Sequence, residues 1–180
     1  MESGLAGFFH AAPSTLHCIE SIQQRFLHES GLTERSALLH YRLAPLCSRR
    51  DIATLGLIHR TVLGIGPPAY SGFFRLSQNR IRRITRLQVA RHSRQLVDPI
   101  IQSSSCLARR SALGMVRCYN ALPEFVVRLR TVKDFQRALH HCLCRAALNH
   151  VEDWQNLFHK FHLVLGTIAF QGLFNIREDS

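Results

Sequence analysis

The chain has 180 residues, 23 of them basic and 12 acidic, and a formal charge of +11. With 46% hydrophobic residues it is too apolar for general disorder and long enough for one buried core, so a second domain is expected only if small. The opening Met1-Glu2-Ser3 is not a secretion leader, and the longest apolar region, Phe161 to Phe174, has about 14 residues, short of the roughly 18 to 20 that span a bilayer, so no membrane span and an intracellular location with reduced cysteines are expected.

In chain order, the first expected helix begins near Ser14. Leu16, Ile19, Ile22 and Phe26 recur at helical spacing, and Gly31 stands where a C-terminal stop belongs. A short helix follows Thr33, carries Leu38, Leu39 and Tyr41, and ends before Pro45. The next helix presents Ile52, Leu55, Ile58 and Val62 as one stripe, and the spacing of Ser48 and Asp51 predicts a capping box at its start. Gly64 closes it. Gly66-Pro67-Pro68 forms a turn, and Pro68-Ala69-Tyr70 opens a short helix through Phe74.

From Ser77 to Ser105 the periodicity weakens, and Gln102 to Ser105 reads as a loop. An apolar segment from Ala112 to Leu122 is stopped by Pro123. Thr131 and Asp134 have capping-box spacing and open a helix whose buried face is Val132, Phe135, Leu139 and Cys142 or Leu143. Trp154, Leu157, Phe158, Phe161 and Leu165 continue a helical pattern into the C-terminal region. No alternating run makes a strand. The expected class is all-α, a loose multi-helix bundle with a basic loop or helix in the middle.

Catalytic patterns are scarce. The aspartates Asp51, Asp98, Asp134, Asp153 and Asp179 are never adjacent to one another, whereas a polymerase needs paired carboxylates for two divalent cations. Asp51 and Asp134 are assigned to helix caps, and Glu152-Asp153 to a solvated helix start. Neither His-Glu-x-x-His nor Cys-x-x-Cys occurs. In the cluster His140-His141-Cys142-x-Cys144, the two cysteines point about 200° apart on a helix, so no metal and no cofactor are expected.

The arginines are the main functional signal. Only Lys133 and Lys160 are lysines; every other basic residue is arginine, whose planar fork suits phosphates and bases. A GC-rich codon bias gives the same composition. Arg80, Arg82, Arg83, Arg86, Arg91 and Arg94 cluster in the middle, and Arg80, Arg83, Arg86 and Arg94 share a helix face if that stretch is helical, with Ile81, Ile84 and Leu87 elsewhere. Three readings fit such a segment: an RNA or DNA contact, a solvated surface, and an anionic membrane surface.

Three blocks carry a family resemblance. The first is Ile22-Gln23-Gln24-Arg25-Phe26-Leu27 with Leu39-His40-Tyr41-Arg42-Leu43-Ala44-Pro45-Leu46. The second runs from Arg49 to Arg60 and closes with Gly64 and Pro67-Pro68. The third is Arg110-Ser111, Tyr119-Asn120-Ala121-Leu122-Pro123, Thr131 and Phe135-Gln136-Arg137-Ala138-Leu139, followed by Asp153-Trp154-Gln155. Together they resemble the region after the palm in reverse transcriptases of non-LTR (LINE-like, jockey-like) retrotransposons, over roughly residues 10 to 158.

The resemblance implies a helical post-polymerase region over 1–158 and an apolar tail of unmatched type over 159–180. It implies an RNA-directed DNA polymerase as the parent, with missing palm and fingers domains as partners and RNA or DNA as the ligand. The palm's aromatic-x-Asp-Asp motif has no counterpart, so no enzyme is expected from this chain alone. In the third block, Asn120 is expected to satisfy a turn backbone ahead of Leu122-Pro123. Tyr119 and Leu122 anchor that turn, and Phe135 docks the last helix. Two rival expectations are a genomic remnant without function and a free-standing helical module that docks a partner through its apolar tail.

Overall fold

A computed structural model describes residues 11–77, 92–100, 108 and 111–160. These residues form an all-α bundle. In chain order the helices are α1 (Pro13–Glu29), α2 (Glu34–Tyr41), α3 (Leu46–Val62), α4 (Pro68–Ser71), α5 (Val116–Ala121), α6 (Glu124–Val127) and α7 (Val132–Leu148). A 3-10 turn, Trp154–Asn156, leads into α8 (Leu157–Lys160). The one extended pairing among the described residues is an isolated antiparallel bridge between Leu76 and Leu96.

Local chemistry sets most of the boundaries. Thr33 caps α2 by a reciprocal box in which its hydroxyl accepts from the Ser36 amide while the Ser36 hydroxyl accepts from the Thr33 amide. Arg42 ends α2 in the left-handed region at φ 56°. Thr131 caps α7, its hydroxyl accepting from the Asp134 amide at 3.0 Å and donating to the Asp134 carboxylate. Gly64, at φ 76°, turns the chain out of α3 as glycine readily does.

The core lies between α3 and α7, which pack along each other. Leu55 and Ile58 of α3 and Phe135, Leu139, Leu143 and Ala146 of α7 are fully buried. The expected stripe of α3 holds for Ile52, Leu55 and Ile58, with Val62 packed at the edge of the core. Gly56 sits under the Gln136 side chain of α7, where a Cβ would collide with the amide group. The α5 and α6 segment adds Met115, Cys118, Tyr119, Leu122, Val126 and Val127 to the same core. Trp154, Leu157 and Phe158 close it against α3 and α7.

Two sequence expectations are corrected. Ser48 and Asp51 do not form a cap: α3 begins earlier, at Leu46 with Pro45 as its N-cap, so Ser48 lies inside the first turn. Its hydroxyl instead donates to the Gln155 carbonyl, and Asp51 is buried in the second turn. On α1 the expected face is rotated. Leu27 is the buried residue, whereas Ile22 and Phe26 are 66% and 55% exposed. The side of the helix that carries Leu16, Ile19, Glu20, Gln23 and Leu27 is the less exposed one, with Gln23 donating to the Ala44 carbonyl and Glu20 pairing with Arg50 of α3.

Candidate nucleic-acid interface

The residues at the end of the arginine cluster, from His92 on, attach one after another to the Tyr119–Val127 segment. His92 Nε2 donates to the Tyr119 carbonyl at 3.1 Å. The Ser93 amide and hydroxyl both donate to the Glu124 carboxylate, at 2.6 and 2.7 Å. The Arg94 guanidinium donates to the Val127 carbonyl. Gln95 donates to the Asn120 carbonyl at 3.3 Å. The Leu96 amide donates to Asn120 Oδ1, and Asn120 Nδ2 returns a bond to the Leu96 carbonyl, both at 2.8 Å.

Asn120 therefore does satisfy backbone groups, but those of Leu96, 24 residues earlier, rather than those of its own turn. Its amide presents one donor and one acceptor side by side, the same pair that a neighbouring strand would offer. Leu96 uses the Leu76 bridge on its other flank, where the Ser77 amide donates to the Gln95 carbonyl and the Val97 amide to the Arg75 carbonyl. The described ends of the chain on either side of the arginine cluster are thus held together and held onto α5.

Tyr119 is the centre of this anchor. It is fully buried, with ring centroids 6.0 Å from Phe135, 6.1 Å from His59 and 5.8 Å from His92. His59 stacks on Phe135 at 4.0 Å with nearly parallel planes. Its Nε2 lies 3.0 Å from the Leu129 carbonyl, which fixes the proton there and leaves Nδ1 to accept from the Tyr119 hydroxyl at 3.1 Å. Burial lowers the His59 pKa, the Leu129 carbonyl partly offsetting this and Arg94 reinforcing it. Burial also raises the Tyr119 hydroxyl, so both rings stay neutral near pH 7. Glu124 is held down to about 2, chiefly by the Ser93 hydroxyl bond, with Arg128 also contributing.

The expected site residues divide accordingly. Arg80, Arg82, Arg83, Arg86 and Arg91 lie outside the described residues. Arg94 lies on the anchor, half-buried. Tyr119, Leu122 and Phe135 are core, Asn120 is the pin to Leu96, and Pro123 is the N-cap of α6. His59, His92, Ser93 and Glu124 belong to the same arrangement, and no local spacing in the sequence points to them.

The segments from Arg60 to Leu76 and at Val97 carry exposed apolar and basic side chains. Ile65, Phe73, Leu76 and Val97 are each at least half exposed. Beside them Arg60 and Arg75 donate through Nε to the Ile65 and Gly72 carbonyls, which orients two exposed guanidinium groups. Tyr70 is also partly exposed and stacks on Phe74.

Among the described residues no group of three or more His, Cys, Asp or Glu side chains is arranged to hold a metal ion. Asp98 pairs with Arg117, Asp134 is the α7 cap partner and Asp153 accepts from Asn156. The described cysteines carry no disulfide, and no described helix is long and apolar enough to cross a membrane. Comparison with models of known protein families, with characterised proteins and with solved structures gives no match.

Proposed function

We propose that this chain is a non-catalytic helical segment of the kind that follows the palm in non-LTR retrotransposon reverse transcriptases, and that it holds RNA or DNA through its arginines. The observation that carries this reading is the anchor. Five successive residues, His92 to Leu96, are fixed to the Tyr119–Val127 segment, His92, Gln95 and Leu96 bonding to Tyr119 and Asn120 of the most specific block of the resemblance and Ser93 and Arg94 to Glu124 and Val127 just beyond it. A basic segment tied by its exit to a rigid core presents its charges from a fixed base, as a phosphate-tracking element requires. Exposed Arg60 and Arg75, with Tyr70 and Phe73 also exposed, supply the kinds of cationic and aromatic side chain that single strands favour.

The test is binding of a labelled single-stranded RNA by fluorescence anisotropy across a salt series. Binding should weaken steeply with salt. Replacing Arg80, Arg82, Arg83 and Arg86 with Gln should lower the log–log salt slope by roughly three, given about 0.7 per phosphate contact on single strands. An unchanged slope in that variant, or no binding at low salt, would refute the assignment.

A second reading rests on Ile22 and Phe26, one turn apart and exposed on α1, with Tyr41 of α2 67% exposed. Such surface fits a helical module that needs a protein partner, the polymerase body being the one the resemblance implies. Replacing Ile22 and Phe26 with Lys should then suppress co-sedimentation with a polymerase body of that class while leaving RNA binding intact.

A further inference from the structure

On α1, α2, the start of α3 and the turn before α8 lies a cleft of about 620 Å³. Its chemistry is opposite to that of the chain as a whole. In a protein of formal charge +11, four carboxylates line it, Glu20, Glu34, Asp51 and Asp153, against the Arg50 guanidinium. Glu20 pairs with Arg50, and Glu34 accepts from Gln155 at 3.0 Å. Asp51 differs from these. It is 4% exposed, and its Oδ2 is buried without a hydrogen-bond partner.

A buried carboxylate oxygen without a donor is unfavourable and rare in folded proteins. The cleft has the size of small-molecule sites, far larger than a metal ion needs. Leu16, Pro45 and Leu46 add apolar surface to the same lining. A lining that combines carboxylates with apolar side chains suits a chain of methylenes with ammonium groups, each carrying three donors. We propose that this cleft binds an aliphatic amine of the polyamine class, one ammonium group donating to Asp51 and another to Glu34. The proposal is independent of the RNA reading, because the cleft lies apart from the Tyr119 anchor and shares none of its residues.

Spermidine is a suitable probe, titrated by calorimetry into the full chain freed of nucleic acid, with sodium chloride at matched ionic strength as the control. One-to-one saturable binding is expected, weakened about tenfold or more in Asp51→Asn and in Glu34→Gln, as when one partner of a buried charged pair is removed. Thermal melts separate a site from a merely buried acid. Asp51→Asn should melt higher than wild type without ligand, yet gain less from the same concentration of spermidine than wild type does. Should Asp51→Asn fail to fold, Glu34→Gln alone decides the matter. Unsaturable binding, equal binding by both variants, or equal competition by magnesium would overturn the proposal.

Discussion

Replacing Asn120 with Ala removes two hydrogen bonds of 2.8 Å and leaves the Leu96 amide and carbonyl without their partner. Leu96 is 3% exposed, so water does not simply replace the lost groups. A net hydrogen bond contributes about 1 kcal/mol and an unsatisfied buried group costs about 1–3 kcal/mol, which places the loss at roughly 2–4 kcal/mol. In a chain of this size that corresponds to a fall in Tm of roughly 5–15 °C. Urea melts followed by circular dichroism measure it directly. Asn120→Asp sharpens the test, because it keeps the acceptor for the Leu96 amide but turns a carboxylate oxygen toward the Leu96 carbonyl. That variant should be unstable at neutral pH and recover as the carboxyl protonates near pH 4, when it can donate again. If Asn120→Ala stays within about 0.5 kcal/mol of wild type, a range ordinary for surface substitutions, the pin has no energetic role and the argument fails.

Three further outcomes follow from geometry. Burial, with Glu20 adding to it and Arg50 opposing it, raises Asp51 to about 7, so its folded pKa lies above its unfolded one. Its contribution to stability is then full below about pH 4 and lost as pH rises through about 7; at about 1.4 kcal/mol per unit the loss is up to about 4 kcal/mol, and urea melts between pH 4 and 8 should show it in wild type but not in Asp51→Asn. Thr131→Ala should destabilise by about 1 kcal/mol through the lost α7 cap, whereas an unchanged denaturation midpoint would mean the cap is dispensable. Gly66→Ala would place a Cβ 2.7 Å from the Thr61 Cα, a backbone atom that cannot swing aside, so a lower Tm is expected and an unchanged one would contradict this turn geometry.

Helix α7 was legible from the sequence because everything that defines it is local. Thr131 and Asp134 cap it, and Phe135, Leu139, Cys142 and Leu143 fall on one buried face. The same local logic misplaced Ser48 and Asp51, whose spacing imitates a cap while their partners, or lack of them, are set by residues far along the chain. On α1 the apolar periodicity of Ile22 and Phe26 is real but unused by this bundle, which buries the neighbouring Leu27. Asn120 was identified through the family resemblance, yet its partner Leu96 carries no recognisable motif. His59 and His92 were invisible for a related reason. A histidine buried as a neutral hydrogen-bonding ring has no sequence signature that separates it from an exposed one.

The bond from Ser48 to the Gln155 carbonyl spans 107 residues, and it orders events during synthesis. At about 5–20 residues per second, α3 leaves the ribosome roughly 5–20 seconds before the turn that covers its first half. Through that interval Asp51 faces water and is ionised, as any carboxylate is near neutrality. In the finished bundle Asp51 is 4% exposed, so folding desolvates this carboxylate, which favours uptake of a proton or a cation. Burial of Asp51 during folding is therefore coupled to a charge being neutralised, and the folding rate should respond to the pH and cations around the nascent chain.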